Sequence, residues 1–258
     1  MRIIENPSPN YSERKSGTVI DTVVLHYTGM KSADEAMTRM KNSHAEVSAH
    51  YCINENGRVY KLVDEKYKAW HAGVSHWRGR DYLNNNSIGI EIVNPGHEHG
   101  YRPFSYEQGD AVTELVSQIF QRHNIDVRNV VGHSDIAPQR KEDPGEYFPW
   151  FRLAEKDLCI FPDIKDFSVS YQVDAIEEGE ESSRVSEIQE NLAKIGYLIE
   201  NTGEFDKQTK KVVTAFYRRF FPGRITTCKK RRYPEDIKWD IKSDKICDQI
   251  ISQYKKVD

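Results

Sequence analysis

The run Ser87-Ile88-Gly89-Ile90-Glu91-Ile92-Val93 constrains the fold more than any other segment of the chain. Isoleucine falls at each even position, so an extended segment buries one face against a partner layer and turns Gly89 and Glu91 to the other. A carboxylate on that second face needs a chemical reason, because burying a charge without a partner is costly. The covering layer is legible downstream. Ser105-x-x-Gln108 has the form of a capping box, and Val112, Leu115, Val116, Ile119 and Phe120 follow at helical spacing as one apolar stripe.

Strand and helix signals alternate around this pair. Thr18 to Leu25 is a β-branched run of strand length, and Ser32-x-x-Glu35 after it opens a helix. Tyr51–Asn54 and Arg58–Val63 flank Asn56-Gly57, a dipeptide whose tolerance of positive φ suits a tight antiparallel hairpin. Asp126 to Val131 returns as a short strand that ends at Gly132-His133. The expected fold is α/β, a mixed central sheet flanked by helices.

From about Asp163 to Arg184 the apolar density falls, and Glu177-Glu178-Gly179-Glu180-Glu181-Ser182-Ser183 reads as a solvated acidic linker. Beyond it, Val185, Ile188, Leu192 and Ile195 make one helical stripe, and Val212, Val213, Phe216 and Phe220 make another after a turn at Asn201-Thr202-Gly203. Trp239 to Tyr254 is a third helix. The expected organisation is a first domain over residues 1–165, a linker over 166–183 and a small three-helix domain over 184–258.

Bulk properties exclude some classes. With 38% hydrophobic and 30% charged residues the chain reads as a soluble globular protein, and it holds no run of ~18 apolar residues to span a bilayer. A net charge of -3 argues neither for nucleic acid nor for an acidic partner. The four cysteines form no close CxxC pair, which is weak for a thiolate site or a disulfide framework. The opening residues, with prolines at 7 and 9, lack the apolar core of an export signal.

Of nine histidines, two stand apart. His26 and His133 each follow an apolar strand, where side chains converge without disrupting the core. Asp143 lies in a Pro-rich loop, Pro138 to Gly145, rigid enough to aim a carboxylate back. Two imidazoles and a carboxylate suit zinc, and three protein ligands leave a fourth position open, the catalytic rather than the structural pattern. Hydrolysis of an amide or ester is the natural reaction for such a site. On spacing alone, the alternative of two unrelated strand-end histidines stays open.

The motifs also resemble a family. Val24-Leu25-His26-Tyr27-Thr28, Ser48-Ala49-His50-Tyr51, Ala69-Trp70-His71-Ala72-Gly73, Ser87-Ile88-Gly89-Ile90-Glu91 and Val131-Gly132-His133-Ser134-Asp135-Ile136-Ala137-Pro138, with Lys141 and Asp143, are similar to the type 2 N-acetylmuramoyl-L-alanine amidases, which share the fold of the peptidoglycan-recognition proteins. The resemblance runs in order over roughly residues 15–165. It implies one zinc ion per chain held by His26, His133 and Asp143, with Glu91 as general base and Lys141 near the scissile carbonyl. It also implies that His50, Trp70 and His71 surround the groove and contact a peptidoglycan or muropeptide substrate.

Ile188-Gln189-x-x-Leu192-x-x-Ile195-Gly196-Tyr197 and Thr202-Gly203-Glu204-Phe205-Asp206-x-x-Thr209 resemble the small peptidoglycan-binding module often fused to such amidases. That order is the arrangement of AmiD-like enzymes of the envelope, so the expected location is periplasmic despite the missing signal, with the cytoplasm as the alternative. A tethered wall-binding module would raise local substrate concentration without entering the chemistry, so its removal would spare a small soluble muropeptide. Lys229-Lys230-Arg231-Arg232 reads as a solvated basic turn rather than a nucleic-acid patch. Two rivals remain: a muropeptide-binding protein that does not cut, and a zinc peptidase acting within the stem peptide.

Overall fold

In the computed structural model, which describes residues 1–163, 174–226 and 237–257, six strands form one mixed sheet. Its order is Ile3–Glu5, Val59–Lys61, Tyr51–Ile53, Ser87–Ile92, Thr22–Tyr27, Val130–Gly132. The 51–53 and 59–61 strands are antiparallel, as the Asn-Gly turn requires, with Gly57 at φ 72°. The strands 51–53, 87–92, 22–27 and 130–132 run parallel. The sheet is thus mixed and flanked by helices, as the patterning demands.

The isoleucine face packs where expected. Ile88, Ile90 and Ile92, with Val23 and Leu25 of the neighbouring strand, meet Val112, Leu115, Val116 and Ile119 of helix Tyr106–Arg122 in one buried cluster. Ser105 caps that helix by accepting from the Gln108 amide, while Gln108 reciprocates. Ser32 caps helix Ala33–Lys41 by accepting from the Glu35 amide, while the Glu35 carboxylate accepts from the Lys31 amide and not from Ser32.

Two strand limits differ from the sequence reading. The first long strand covers Thr22–Tyr27 rather than starting at Thr18, so His26 lies inside it and not after it. Before Val130–Gly132 the Asp126 carboxylate caps a 3-10 turn at Val127–Asn129, because Asp accepts its own backbone two residues on more readily than it extends a ladder.

On the opposite sheet face, Val24 and Val131 share an apolar cluster with the C-terminal helices Ser183–Ile195, Lys207–Phe220 and Ile241–Val257, while Cys52 packs with Ala36 and Met40 of helix Ala33–Lys41. One apolar cluster runs from Val24, Trp77, Leu83, Val131 and Ile136 into Val185, Leu192, Phe216 and Phe220. Trp77 and Tyr197 meet edge to face at 5.1 Å, and the Arg78 amide donates to the Gly196 carbonyl at 3.0 Å. The acidic stretch 177–183 has exposed side chains, but its backbone pairs with residues 203–205, while buried Ile176 bridges to Trp239. The basic cluster 229–232, Cys228 and residues 166–173 of the expected linker lie outside the described residues. Cys52, Cys159 and Cys247 are buried free thiols. Among the described residues no helix is long and apolar enough to cross a membrane.

Candidate metal centre

Three parallel strands end side by side, and the site lies at their carboxyl ends, where open α/β sheets collect functional groups. Register places His26 directly opposite Glu91. Both therefore face away from the isoleucine layer, at the end of the sheet face whose other end receives the C-terminal helices. His133 opens a one-turn helix, His133–Ile136, immediately after the third strand. Asp143 returns through the loop, tied by its carbonyl to the Ser134 amide at 2.8 Å.

His26, His133 and Asp143 converge and are buried. His26 Nδ1 lies 3.0 Å from His133 Nδ1 and 2.9 Å from Asp143 Oδ2, and His133 Nδ1 lies 3.0 Å from the same oxygen. Tetrahedral zinc with bonds of roughly 2.0–2.1 Å spaces its ligand atoms at about 3.3 Å, close to this triangle. Burial, together with the charge of His133, pulls the His26 imidazole down to about 4, so it is neutral near pH 7. Burial opposes ionisation of Asp143, but His133 and then His26 outweigh it and hold its carboxyl well below the usual carboxylate range. Neutral imidazoles and an ionised carboxylate are the forms that ligate a metal.

The remaining ring nitrogens are braced. His133 Nε2 donates to the Ala72 carbonyl at 3.1 Å, and His26 Nε2 donates to His71 Nδ1 at 3.1 Å. His71 Nε2 then donates to Ser87 Oγ at 3.2 Å, whose hydroxyl donates to the Leu83 carbonyl. Such outer partners fix the tautomer and orientation of ligating histidines. Gly89 exists for this chain of contacts: a Cβ there would penetrate the His71 ring. Gly89→Ala is therefore expected to cost about 1–3 kcal/mol and to loosen metal retention, read from the melting temperature and metal content. An unchanged melt and full metal would show His71 free to move aside.

Glu91 projects into the same space. Burial first, and then Asp143, push its carboxyl well above the ordinary value, with Lys141 opposing. Its Oε2 is buried and has no hydrogen-bond partner among the described residues. These groups open onto a groove of about 440 Å³, also lined by Trp70, His71 and Lys141. That is the size of a small-ligand site. Trp70 is held by its amide to Ser48 Oγ and its indole N–H to Ser12 Oγ.

His50 is placed elsewhere. It is fully buried behind His71, with ring centroids 5.7 Å apart, and does not line the groove. Its Nδ1 accepts from the Gly89 amide and its Nε2 donates to the Tyr67 carbonyl. Burial, aided by Arg14, draws it down to about 3, so its placement is that of a neutral structural support.

The groove wall also holds a histidine that sequence reading passed over. His97 accepts the Tyr27 hydroxyl at 3.0 Å and faces Glu142 and Glu146, the carboxylates on either side of Asp143. No local pattern marks it, since its partners Glu142, Glu146 and Tyr27 lie 45, 49 and 70 residues away.

The N-acetylmuramoyl-L-alanine amidase family matches residues 16–146, and a peptidoglycan binding domain family matches residues 181–221. The N-acetylmuramoyl-L-alanine amidase AmiD of Escherichia coli is 34% identical over 215 residues, covering 79% of this chain and 75% of that protein. The 1,6-anhydro-N-acetylmuramyl-L-alanine amidase AmpD of Haemophilus influenzae is 33% identical over 56% of this chain and 86% of its own length. Among solved structures, AmiD from E. coli in complex with the substrate anhydro-N-acetylmuramic acid-L-Ala-D-gamma-Glu-L-Lys superposes with a TM-score of 0.73 at 29% identity, over 95% of this chain and 98% of that one. AmpDh3 from Pseudomonas aeruginosa, in complex with an anhydromuramic pentapeptide, gives 0.72 at 27% identity over 96% and 98%.

Proposed function

This chain belongs to the N-acetylmuramoyl-L-alanine amidase family, and we propose that it hydrolyses the amide between N-acetylmuramic acid and L-alanine in peptidoglycan or muropeptides, using one zinc ion held by His26, His133 and Asp143. The observation that carries this reading is the triangle of donor atoms at 2.9–3.0 Å with a Glu91 carboxylate oxygen that has no hydrogen-bond partner among the described residues. When bound, zinc supplies Lewis acidity, polarising the amide carbonyl and acidifying the attacking water.

The chain's own groups do the rest. Glu91 accepts the proton of the attacking water, for which its free oxygen and its place opposite His26 suit it. Lys141, on the groove wall, stabilises negative charge on the carbonyl oxygen as the tetrahedral centre forms. Trp70 and His71 line the path of the substrate, and His71 also holds His26. The C-terminal helices, whose first part matches a peptidoglycan binding domain family, would meet the wall polymer, and that role supports the reading of a periplasmic or envelope enzyme.

The test is mass spectrometry of muropeptides digested by protein of measured zinc content. Release of the whole stem peptide beginning at L-alanine, with the sugar left intact, is the expected outcome. Fragments cut within the stem would make it a peptidase, and binding without cleavage would make it a receptor. Cell fractionation reports the location, and a purely cytoplasmic pool would remove the envelope assignment.

A further inference from the structure

Helix Lys207–Phe220 carries two arginines that point toward the catalytic half and not to solvent. Arg218 and Arg219 are 3% and 1% exposed, which for guanidinium groups demands partners. Carboxylates facing both guanidinium groups lie in the short segment 135–146. Arg219 Nη1 donates to Asp135 Oδ2 at 2.9 Å, and its guanidinium stacks 4.4 Å over Trp150. Arg218 lies 3.5 Å from Glu142 and 3.7 Å from Glu146.

Asp135 is the hub of the turn that bears His133. It accepts the Gly132 amide at 2.7 Å, which fixes the start of the His133 turn, and the Tyr197 hydroxyl at 2.8 Å. Glu142 and Glu146 bracket Asp143 and both also face His97, at 3.3 and 3.1 Å. The same helix also meets the segment at Gln139, whose carbonyl accepts from Lys211 Nζ at 2.9 Å and whose Nε2 donates to the Gln208 carbonyl at 3.4 Å. One helix of the C-terminal region therefore runs along the stretch that supplies His133, Lys141 and Asp143.

We infer that Arg218 and Arg219 are positioning residues for the metal centre, setting the His133 turn through Asp135 and the Asp143 loop through Glu142 and Glu146. This rests on the metal-centre reading above. The physical reason is that His133 and Asp143 sit on a four-residue helix and a loop, elements too short to hold a ligand geometry on their own. A planar fork between fixed carboxylates supplies the missing rigidity, and an ammonium does not reproduce it.

The experiment compares full-length Arg218→Met and Arg219→Met with wild type and with Cys247→Ala, a cavity in the core of helix Ile241–Val257 that leaves segment 135–146 untouched. Zinc affinity is measured by competition with a chromogenic chelator, ligand geometry by the visible spectrum of the cobalt form, and folding by circular dichroism. The arginine variants are expected to bind zinc about 10–100-fold more weakly, the usual effect of losing an outer-shell partner, with an altered cobalt spectrum. Cys247→Ala is expected to melt earlier yet keep wild-type affinity and spectrum. If the methionine variants do not fold, Arg218→Lys and Arg219→Lys decide, since they keep the charge and lose the fork, and weakened zinc binding is again expected. Folded variants with wild-type affinity and spectrum, or a loss matched by Cys247→Ala, would overturn the inference. A wild-type chain that binds no zinc would instead sink the metal-centre reading itself.

Discussion

Glu91→Gln is expected to keep its metal and lose turnover by about 10²–10⁴, the usual worth of a general base. His26→Ala, His133→Ala and Asp143→Ala are expected to lose metal and activity together. The contrast follows from geometry. The three ligand atoms lie within 3.0 Å of one another, whereas Glu91 stands beside them with an oxygen that no group in the described residues engages. Glutamine has the same size and leaves the triangle undisturbed, yet it has no lone pair basic enough to take a proton from water. Burial and Asp143 raise the Glu91 carboxyl, Lys141 opposes them, and a bound cation adds to that pull, so the carboxylate form is available in the loaded site. Metal content by elemental analysis, set against initial rates on a soluble muropeptide, separates the roles. A glutamine variant that arrives without metal would make Glu91 a ligand, and one with full turnover would remove it from the chemistry.

The parts of this molecule readable from sequence are those specified by contacts close along the chain. Alternation at Ile88, Ile90 and Ile92 gives the buried face outright, and the Ser105 capping box gives the start of the covering helix to the residue. His26, His133 and Asp143 are suggested by strand ends, and the family motifs bind them into one ligand set. Harder cases depend on distant partners. Arg219 falls seven residues after Val212 and three after Phe216, on the apolar stripe of its helix, and a charge on such a stripe is the one local sign that it is buried. Its partner Asp135 lies 84 residues earlier, so no window of sequence joins them. His50 misleads for the opposite reason: it stands among motif residues, but it is bonded to Gly89, two residues short of Glu91 along the strand, and its ring lies buried behind His71.

Truncation after residue 183 is expected to disable the enzyme on every substrate, small or polymeric, rather than spare the soluble one as a tethered module would. The apolar cluster does not stop at the boundary: Val131, Ile136 and Trp77 pack directly into the helices that would be removed. Each large apolar side chain returned to water costs about 1.5–3 kcal/mol. Asp135 would lose both Arg219 and Tyr197, and breaking a buried ion pair by removing one partner costs about 3–5 kcal/mol. A domain's whole stability is only about 5–15 kcal/mol, so these losses together rival it. Scanning calorimetry and limited proteolysis of the 1–183 fragment should show no cooperative melt near that of the full chain, with zinc content and muropeptide hydrolysis falling in parallel. A fragment that melts like the full chain, holds zinc and cleaves a soluble muropeptide at the full rate, while losing only its hold on sacculi, would establish the helices as an independent wall-binding module. Binding to sacculi and bracing the active site are compatible tasks for one region: polymer contacts need the outer helix surfaces, whereas the brace uses the face already buried against segment 135–146.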